Sequence, residues 1–178
     1  MNSSRPTAAE ITQAIRNVPN FPKPGIQFKD ITPVLADARL FAGAIELLTE
    51  KFQPGSVDAV VGIDARGFIF AAAAAMRLRA GFVPVRKKGK LPYQTIEQDY
   101  DLEYGQATVA IHTDAIKPGC RVLLVDDLLA TGGTSAAATA LVKKLGGNIL
   151  EAAFLIELKF LNGREKLAGI PIRSLVTY

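Results

Sequence analysis

The sequence contains few of the residues that form disulfides and metal sites. Among its 178 residues there is one cysteine, Cys120, and one histidine, His112. No disulfide can form within the chain, so we expect a reducing, cytoplasmic environment. A metal site built from cysteine and histidine is nearly excluded, because such sites draw on several of these residues. The sequence therefore predicts no metal ion held by protein side chains alone.

Long apolar runs and long basic runs are also missing. The most apolar stretch, residues 67–76, is about half as long as a membrane-spanning helix, and residues 1–7 are polar, without the apolar core of a secretory signal. The net charge is +4, but the longest basic cluster, residues 86–90, is short for a nucleic-acid-binding tail. We expect neither a membrane nor a nucleic acid as partner. A small polyanionic substrate fits the mild basicity equally well.

Segments typical of strands and helices alternate along the chain. Strands are predicted at residues 59–63, 81–85, 107–112, 122–125, 149–158 and 172–176, and helices at residues 7–18, 40–52, 68–79, 135–145 and 164–167. Residues 20–30 are predicted to be an ordered loop, and the polar residues 91–104 to lack regular structure. This alternation predicts an α/β fold with a mostly parallel sheet flanked by helices. Hydrophobic residues make up 49% of the chain, which is enough for one domain spanning residues 1–178.

Charged residues follow three of the predicted strands. They lie at residues 64–67, 86–88 and 126–127. In an open parallel sheet, ligands bind beyond the carboxyl ends of the strands. We therefore expect these three segments to form a common site.

Residues 121–138 combine an apolar strand, an acidic pair and a glycine loop that enters a helix. The loop reads Ala130, Thr131, Gly132, Gly133, Thr134, Ser135. Backbone N–H groups at a helix start, made accessible by glycine, bind phosphate, and three hydroxyls add donors. The loop lacks the lysine of a P-loop and the glycine spacing of a dinucleotide site. Asp126 and Asp127 would repel a phosphate but can accept hydrogen bonds from sugar hydroxyls, so the segment predicts a ribose 5-phosphate site.

Residues 122–134 resemble the phosphoribosyl-pyrophosphate motif of type I phosphoribosyltransferases, in the Leu128-Leu129-Ala130 version of the members that act on adenine. Other segments resemble those members in the same order: residues 21–35 their base-covering segment, 62–68 their pyrophosphate loop, and 86–92 and 100–105 the two ends of their mobile loop. The resemblance covers the chain from about Ile11 to its end. It implies the type I phosphoribosyltransferase fold, with an N-terminal hood of about residues 1–35 and a mobile lid loop.

The resemblance also implies a reaction. Adenine and phosphoribosyl pyrophosphate would give AMP and pyrophosphate, a step of purine salvage. Mg²⁺ would bind mainly through the substrate. A homodimer is implied, in which Arg86 or nearby residues reach the partner's site.

Residue roles follow from the matching positions. Arg66 is expected to clamp pyrophosphate with its planar guanidinium, next to Asp64 and Ala65, which a cis peptide bond can join in this family. Lys87 and Lys90, with Arg86, would supply further positive charge. Leu128 belongs to the substrate-binding segment.

The remaining roles concern the base. Glu103 is expected to exchange a proton with the adenine ring inside the closed lid, residues 91–105, with Tyr104 packed over the substrates. The backbone at Gln27 and Lys29 would pair with the amino group and ring nitrogen of adenine, while Phe28 stacks on the ring. Two alternatives stay open: a phosphoribosyltransferase for another purine such as xanthine, and a non-catalytic regulator that senses phosphoribosyl pyrophosphate.

Overall fold

The computed structural model describes residues 5–101 and 105–178. The chain divides into two compact units, Met1–Leu47 and Leu48–Tyr178. Among the described residues, no helix has the length and apolar character needed to cross a bilayer.

The first unit combines short helices with a two-stranded antiparallel sheet. Its elements are α1 (Ala8–Ala14), β1 (Arg16–Pro19), β2 (Gln27–Asp30), α2 (Thr32–Ala36) and α3 (Ala38–Thr49), whose last residues belong to the second unit. Helix α1 begins at a capping box: the N–H of Glu10 donates to Thr7 Oγ1, and the N–H of Thr7 donates to the Glu10 carboxylate.

The predicted extent of the first helix is wrong. Helix α1 ends at Ala14, and β1 pairs with β2, so that Val18 lies opposite Phe28. The interval of residues 20–30, predicted to be a loop, therefore ends in a strand. Both strands are four residues long, and each is held by hydrogen bonds to the other strand across the loop. The periodicity of a short segment does not reveal such pairing.

The second unit is built on one seven-stranded sheet. Its elements are β3 (Ala59–Ile63), α4 (Gly67–Leu78), β4 (Gly81–Lys87), β5 (Thr95–Asp101), β6 (Gln106–His112), β7 (Arg121–Leu129), α5 (Gly133–Lys144), β8 (Asn148–Glu157), the 3₁₀ turns Lys159–Leu161 and Gly163–Leu167, and β9 (Ile172–Thr177). The strand order is β5-β6-β4-β3-β7-β8-β9, with β4, β3, β7, β8 and β9 parallel and β6 antiparallel to both neighbours. The predicted mostly parallel α/β architecture is confirmed.

Helices α4 and α5 pack against this sheet, and small residues allow a close approach. Strand β3 is entirely buried. Helix α4 approaches it so closely that a Cβ on Gly62 would lie 2.6 Å from the Cβ of Ala71. Helix α5 contributes Ala138 and Leu141 to the core cluster that contains Val61 and Leu124. The central strands are thereby held rigidly, and their carboxyl ends are fixed relative to one another.

Two further expectations are wrong. Residues 95–101 form β5, which pairs along its length with β6, so the prediction that residues 91–104 lack regular structure is wrong for residues 95–101. Strand β7 continues to Leu129, so the acidic pair lies within the strand, which was predicted to end at residue 125. The reason is that β8 keeps pairing beyond the apolar run, as far as Leu129 opposite Glu157.

Candidate active site

The carboxyl ends of β3 and β7 border a cleft with a volume of about 330 Å³. Strand β3 and the residues after it contribute Ile63, Asp64, Ala65 and Arg66, and β7 and the loop after it contribute Asp126, Asp127, Leu128, Ala130, Thr131, Gly132, Gly133, Thr134 and Ser135. The two segments are adjacent because β3 and β7 are paired in parallel. Two of the three charged strand ends therefore meet in one cleft.

The glycine loop presents an uncapped helix start to this cleft. Gly132 is the N-cap of α5, with a φ of 76°, and no side chain caps the helix there. A positive φ suits glycine, and a Cβ on Gly132 would also overlap the carbonyl oxygen of Gly163. The first turn of α5 contains no acidic residue. Its N–H groups and positive dipole end are therefore arranged to bind an anion.

The acidic pair lies beside this loop in a buried setting. Asp126 Oδ1 accepts the backbone N–H of Asp127 at 2.9 Å. Burial raises the pKa of the Asp126 carboxyl well above its ordinary value, and the charge of Asp127 adds to the effect. Burial also raises the pKa of Asp127, although Arg66 works in the opposite direction. Ligand groups that donate hydrogen bonds would stabilise the ionised carboxylates.

Arg66 is attached to one of these carboxylates. Its Nε lies 2.8 Å from Asp127 Oδ2, and its side chain is partly exposed at the cleft. The peptide bond between Asp64 and Ala65, directly before it, is cis, as the resemblance implied. The arginine is thus placed where it can exchange a carboxylate partner for a more highly charged anion.

The basic cluster is connected to the cleft through Asp64. Arg86 and Lys87 are the last residues of β4. Arg86 Nε and the backbone N–H of Lys87 each lie 3.4 Å from Asp64 Oδ2, and Arg86 Nη1 donates to the carbonyl of Lys90 at 3.0 Å. As far as the chain is described, Arg86, Lys87 and Lys90 do not line the cleft themselves. Arg86 and Lys87 contact the carboxylate of Asp64, which does line it.

The residues expected to select the base belong to the first unit. Gln27, Phe28 and Lys29 lie on β2. Asn17 Nδ2 donates to the Gln27 side chain at 2.8 Å, and the ring of Phe28 packs edge to face on Phe21, with centroids 5.1 Å apart. Glu103 and Tyr104 fall outside the described residues.

Two glycines of the site were not assigned a role from the sequence. A Cβ on Gly67 would overlap Asp126 Oδ1, and a Cβ on Gly163 would overlap the carbonyl oxygen of Ala130. Gly67 is the last residue of the charged segment after β3, which is a usable signal. Gly163 is distant in sequence from every motif, so only the folded chain reveals its contact.

The chain is similar to a known protein family, to relatives of known function and to solved structures. The family described as "Phosphoribosyl transferase domain" matches residues 31–168. An adenine phosphoribosyltransferase of Chloroflexus aurantiacus is 53% identical over 172 residues, which cover 97% of this chain and 99% of the relative.

Solved structures agree. The crystal structure of adenine phosphoribosyltransferase from Rhodothermus marinus has a TM-score of 0.91 and 54% identity, covering 96% of this chain and 98% of that chain. The enzyme from Saccharomyces cerevisiae, complexed with an imino-altritol bisphosphate and adenine, has a TM-score of 0.89 and 42% identity, covering 94% and 97%.

Proposed function

The chain belongs to the phosphoribosyltransferase family and, within it, to the adenine phosphoribosyltransferases, and from this premise we propose how its cleft performs the reaction. The activity converts adenine and phosphoribosyl pyrophosphate to AMP in purine salvage, with pyrophosphate as the second product. One observation carries the assignment of the cleft: an acidic pair and an uncapped glycine loop face an arginine from the adjacent strand end.

The glycine loop binds the 5-phosphate in this proposal. Residues 130–135 provide N–H and hydroxyl donors, and the start of α5 adds its dipole. The ribose hydroxyls donate to Asp127 and Asp126. These hydrogen bonds favour the ionised carboxylates and offset the cost of burying them.

Arg66 and the basic cluster bind pyrophosphate in this proposal. When a pyrophosphate enters, the Arg66 guanidinium turns from Asp127 to the ligand, with which it forms paired hydrogen bonds. Arg86 and Lys87 already lie close to Asp64, and Lys87 and Lys90 add positive charge. Neutralising the leaving group in this way stabilises the oxocarbenium-like transition state.

Mg²⁺ fits the donors of the cleft as a substrate-bound ion. Among the described residues, no group of three or more His, Cys, Asp and Glu side chains is placed to hold a metal ion. The cleft offers carboxylate and hydroxyl oxygens, the donor type that Mg²⁺ prefers. We propose that the ion binds mainly through phosphoribosyl pyrophosphate, with Asp126 and Asp127 as the protein oxygens available to it. When bound, it neutralises charge on the leaving pyrophosphate.

Base selection and proton transfer are assigned to residues outside this cleft. We propose that backbone groups of Gln27 and Lys29 bind adenine, that Phe28 stacks on it, and that Glu103 exchanges the proton, with Tyr104 beside it. The hood of residues 1–35 and the lid of residues 91–105 then act with the cleft as one functional domain. Support comes from the high identity to the adenine-specific relatives along nearly the whole chain.

We also propose a homodimer in the cytoplasm. Ile69 and Met76 on α4 and Phe82 on β4 are exposed apolar side chains. The rings of Phe68 and Phe82 pack edge to face, with centroids 5.4 Å apart, which joins the two elements into one surface. A second copy would bury it. The single cysteine supports a reducing compartment.

A base-by-base assay tests the proposed function. Purified protein with phosphoribosyl pyrophosphate and Mg²⁺ is offered adenine, hypoxanthine, guanine and xanthine in turn, and nucleotide formation is followed. AMP from adenine, with the other bases inert, is the expected result. Turnover of xanthine instead would identify a different base specificity. Binding of phosphoribosyl pyrophosphate without turnover of any base would identify a non-catalytic sensor.

A further inference from the structure

The turn Gly163–Leu167 contacts the glycine loop through its first residue. Gly163 and Gly132 face each other so closely that a Cβ on either one would overlap the backbone: Gly132 meets the Gly163 carbonyl, and Gly163 meets the Ala130 carbonyl. Because this is a contact between two backbones, no side chain can change its conformation to accommodate a displacement of either segment. The position of Gly163 therefore sets the position of the loop.

The residue after Gly163 fixes the turn to the sheet. Arg164 Nε lies 2.6 Å from Glu157 Oε1 and its Nη2 lies 2.7 Å from Oε2, a paired arrangement, and Nη2 also lies 3.4 Å from Ser174 Oγ. The Glu157 side chain is only 4% exposed, against 47% for Arg164. The guanidinium hydrogen bonds lower the pKa of Glu157 despite burial. Removing the arginine would leave a buried carboxylate without its main partner.

Glu157 connects back to the start of the loop. It is the last residue of β8 and lies opposite Leu129, the last residue of β7, and the N–H of Leu158 donates to the Leu129 carbonyl at 2.9 Å. Ala130, the first loop residue, follows Leu129 directly. The contacts therefore form a closed ring that runs from Leu129 through Glu157, Arg164 and Gly163 to the loop.

We propose that Arg164 and Glu157 are positioning residues for phosphate binding: through Gly163 they hold the 130–135 loop in the geometry that binds the 5-phosphate. This inference rests on the proposed role of that loop. The physical reason is that N–H donors bind a phosphate only within a narrow range of distances, so a small shift of the loop weakens several hydrogen bonds at once.

Calorimetric binding of two probes tests this role. Ribose 5-phosphate reports on the glycine loop, and pyrophosphate reports on the Arg66 side of the cleft. Arg164→Ala is expected to raise the dissociation constant of ribose 5-phosphate about tenfold and to leave that of pyrophosphate unchanged. Arg164→Lys, which keeps the charge but not the paired geometry, is expected to give an intermediate value. If the alanine variant does not fold, the lysine variant alone tests the proposal.

Arg121→Ala is the matched control. Arg121 forms a paired ion bridge with Asp58, with Nη2 2.6 Å from Oδ1 and Nε 3.0 Å from Oδ2, at the opposite end of β7. The Arg121→Ala variant is expected to have a lower melting temperature and unchanged dissociation constants for both probes. Unchanged ribose 5-phosphate binding in both Arg164 variants, or an equal loss for both probes, would overturn the inference.

Thr131→Ala separates this outcome from failure of the loop assignment. If Thr131→Ala weakens ribose 5-phosphate and the Arg164 variants do not, the positioning role is wrong and the loop assignment stands. If neither change affects ribose 5-phosphate, both are wrong.

Discussion

At the scale of single residues, glycines allow close contacts in and around the cleft. Gly67 begins α4 directly after Arg66, and its lack of a Cβ lets the Asp126 carboxylate lie against the helix start. Its φ is not in the left-handed region. The constraint at this position is therefore contact with Asp126 and not the backbone conformation, which an L residue can adopt.

Gly67→Ala is expected to lower kcat/KM for phosphoribosyl pyrophosphate at least about tenfold, because the added methyl group displaces the Asp126 carboxylate. Steady-state kinetics at saturating adenine measure the effect. Gly81→Ala is the matched control, since its Cβ would meet its nearest neighbour, the Asp58 carbonyl, at 3.6 Å, an ordinary contact. Equal kinetics for the two variants would contradict the role assigned to Gly67.

At the scale of elements, β7 joins the parts of the site and is fixed at both ends. Arg121 at its start donates to Asp58, the residue before β3, through its side chain and its backbone N–H. Leu129 at its end pairs with Glu157. The Asp58 bridge joins β3 to β7 at the end opposite to the cleft, so we expect it to contribute to stability and not to ligand binding.

The Asp58 bridge predicts a defined pH dependence of stability. Hydrogen bonds from the Arg121 side chain and backbone lower the pKa of Asp58 to about 2. Because the folded pKa lies below the unfolded one, the stabilisation is complete above the ordinary value and is lost as the pH falls towards about 2. Urea unfolding should show Asp58→Asn less stable than the unaltered protein at neutral pH, with the difference shrinking below about pH 4. A difference that is constant down to pH 3 would contradict this assignment.

At the scale of the whole molecule, the described chain leaves a large apolar side chain uncovered on α4. Met76 is 83% exposed, and Ile69 and Phe82 are also exposed. Scattered apolar residues are normal on a surface, but these belong to one helix and the strand that follows it. We propose that the second copy of the homodimer binds to the surface formed by these three residues.

Met76→Glu is expected to convert the proposed homodimer to a monomer, because it places a charge in the core of the proposed interface. Sedimentation at micromolar concentration measures the shift. Phe160→Glu is the control, because Phe160 is 70% exposed on the turn after β8, away from α4 in the chain. A dimer that survives Met76→Glu, or dissociation in both variants, would refute this surface as the interface.

The sequence by itself determined the architecture and most of the cleft. The apolar run of β3 and the alternation of strands with alanine-rich helices predict a parallel sheet, because burial of both faces requires that pattern. Charged residues at the ends of β3 and β7 predict where the ligand binds, since parallel strands bring their carboxyl ends together. The structure brings together all the residues that were predicted from these two segments.

The tertiary structure decided what depends on partners distant in the chain. Strands β1 and β5 form because β2 and β6 supply their hydrogen bonds, and β7 carries the acidic pair within a strand because β8 extends beside it. The partners of Arg66 and Arg86, Asp127 and Asp64, follow from the pairing of β3 with β7 and β4. Gly163 meets the glycine loop from more than thirty residues away. Local sequence contains propensity and pattern, whereas these contacts exist only once the sheet has brought the segments together.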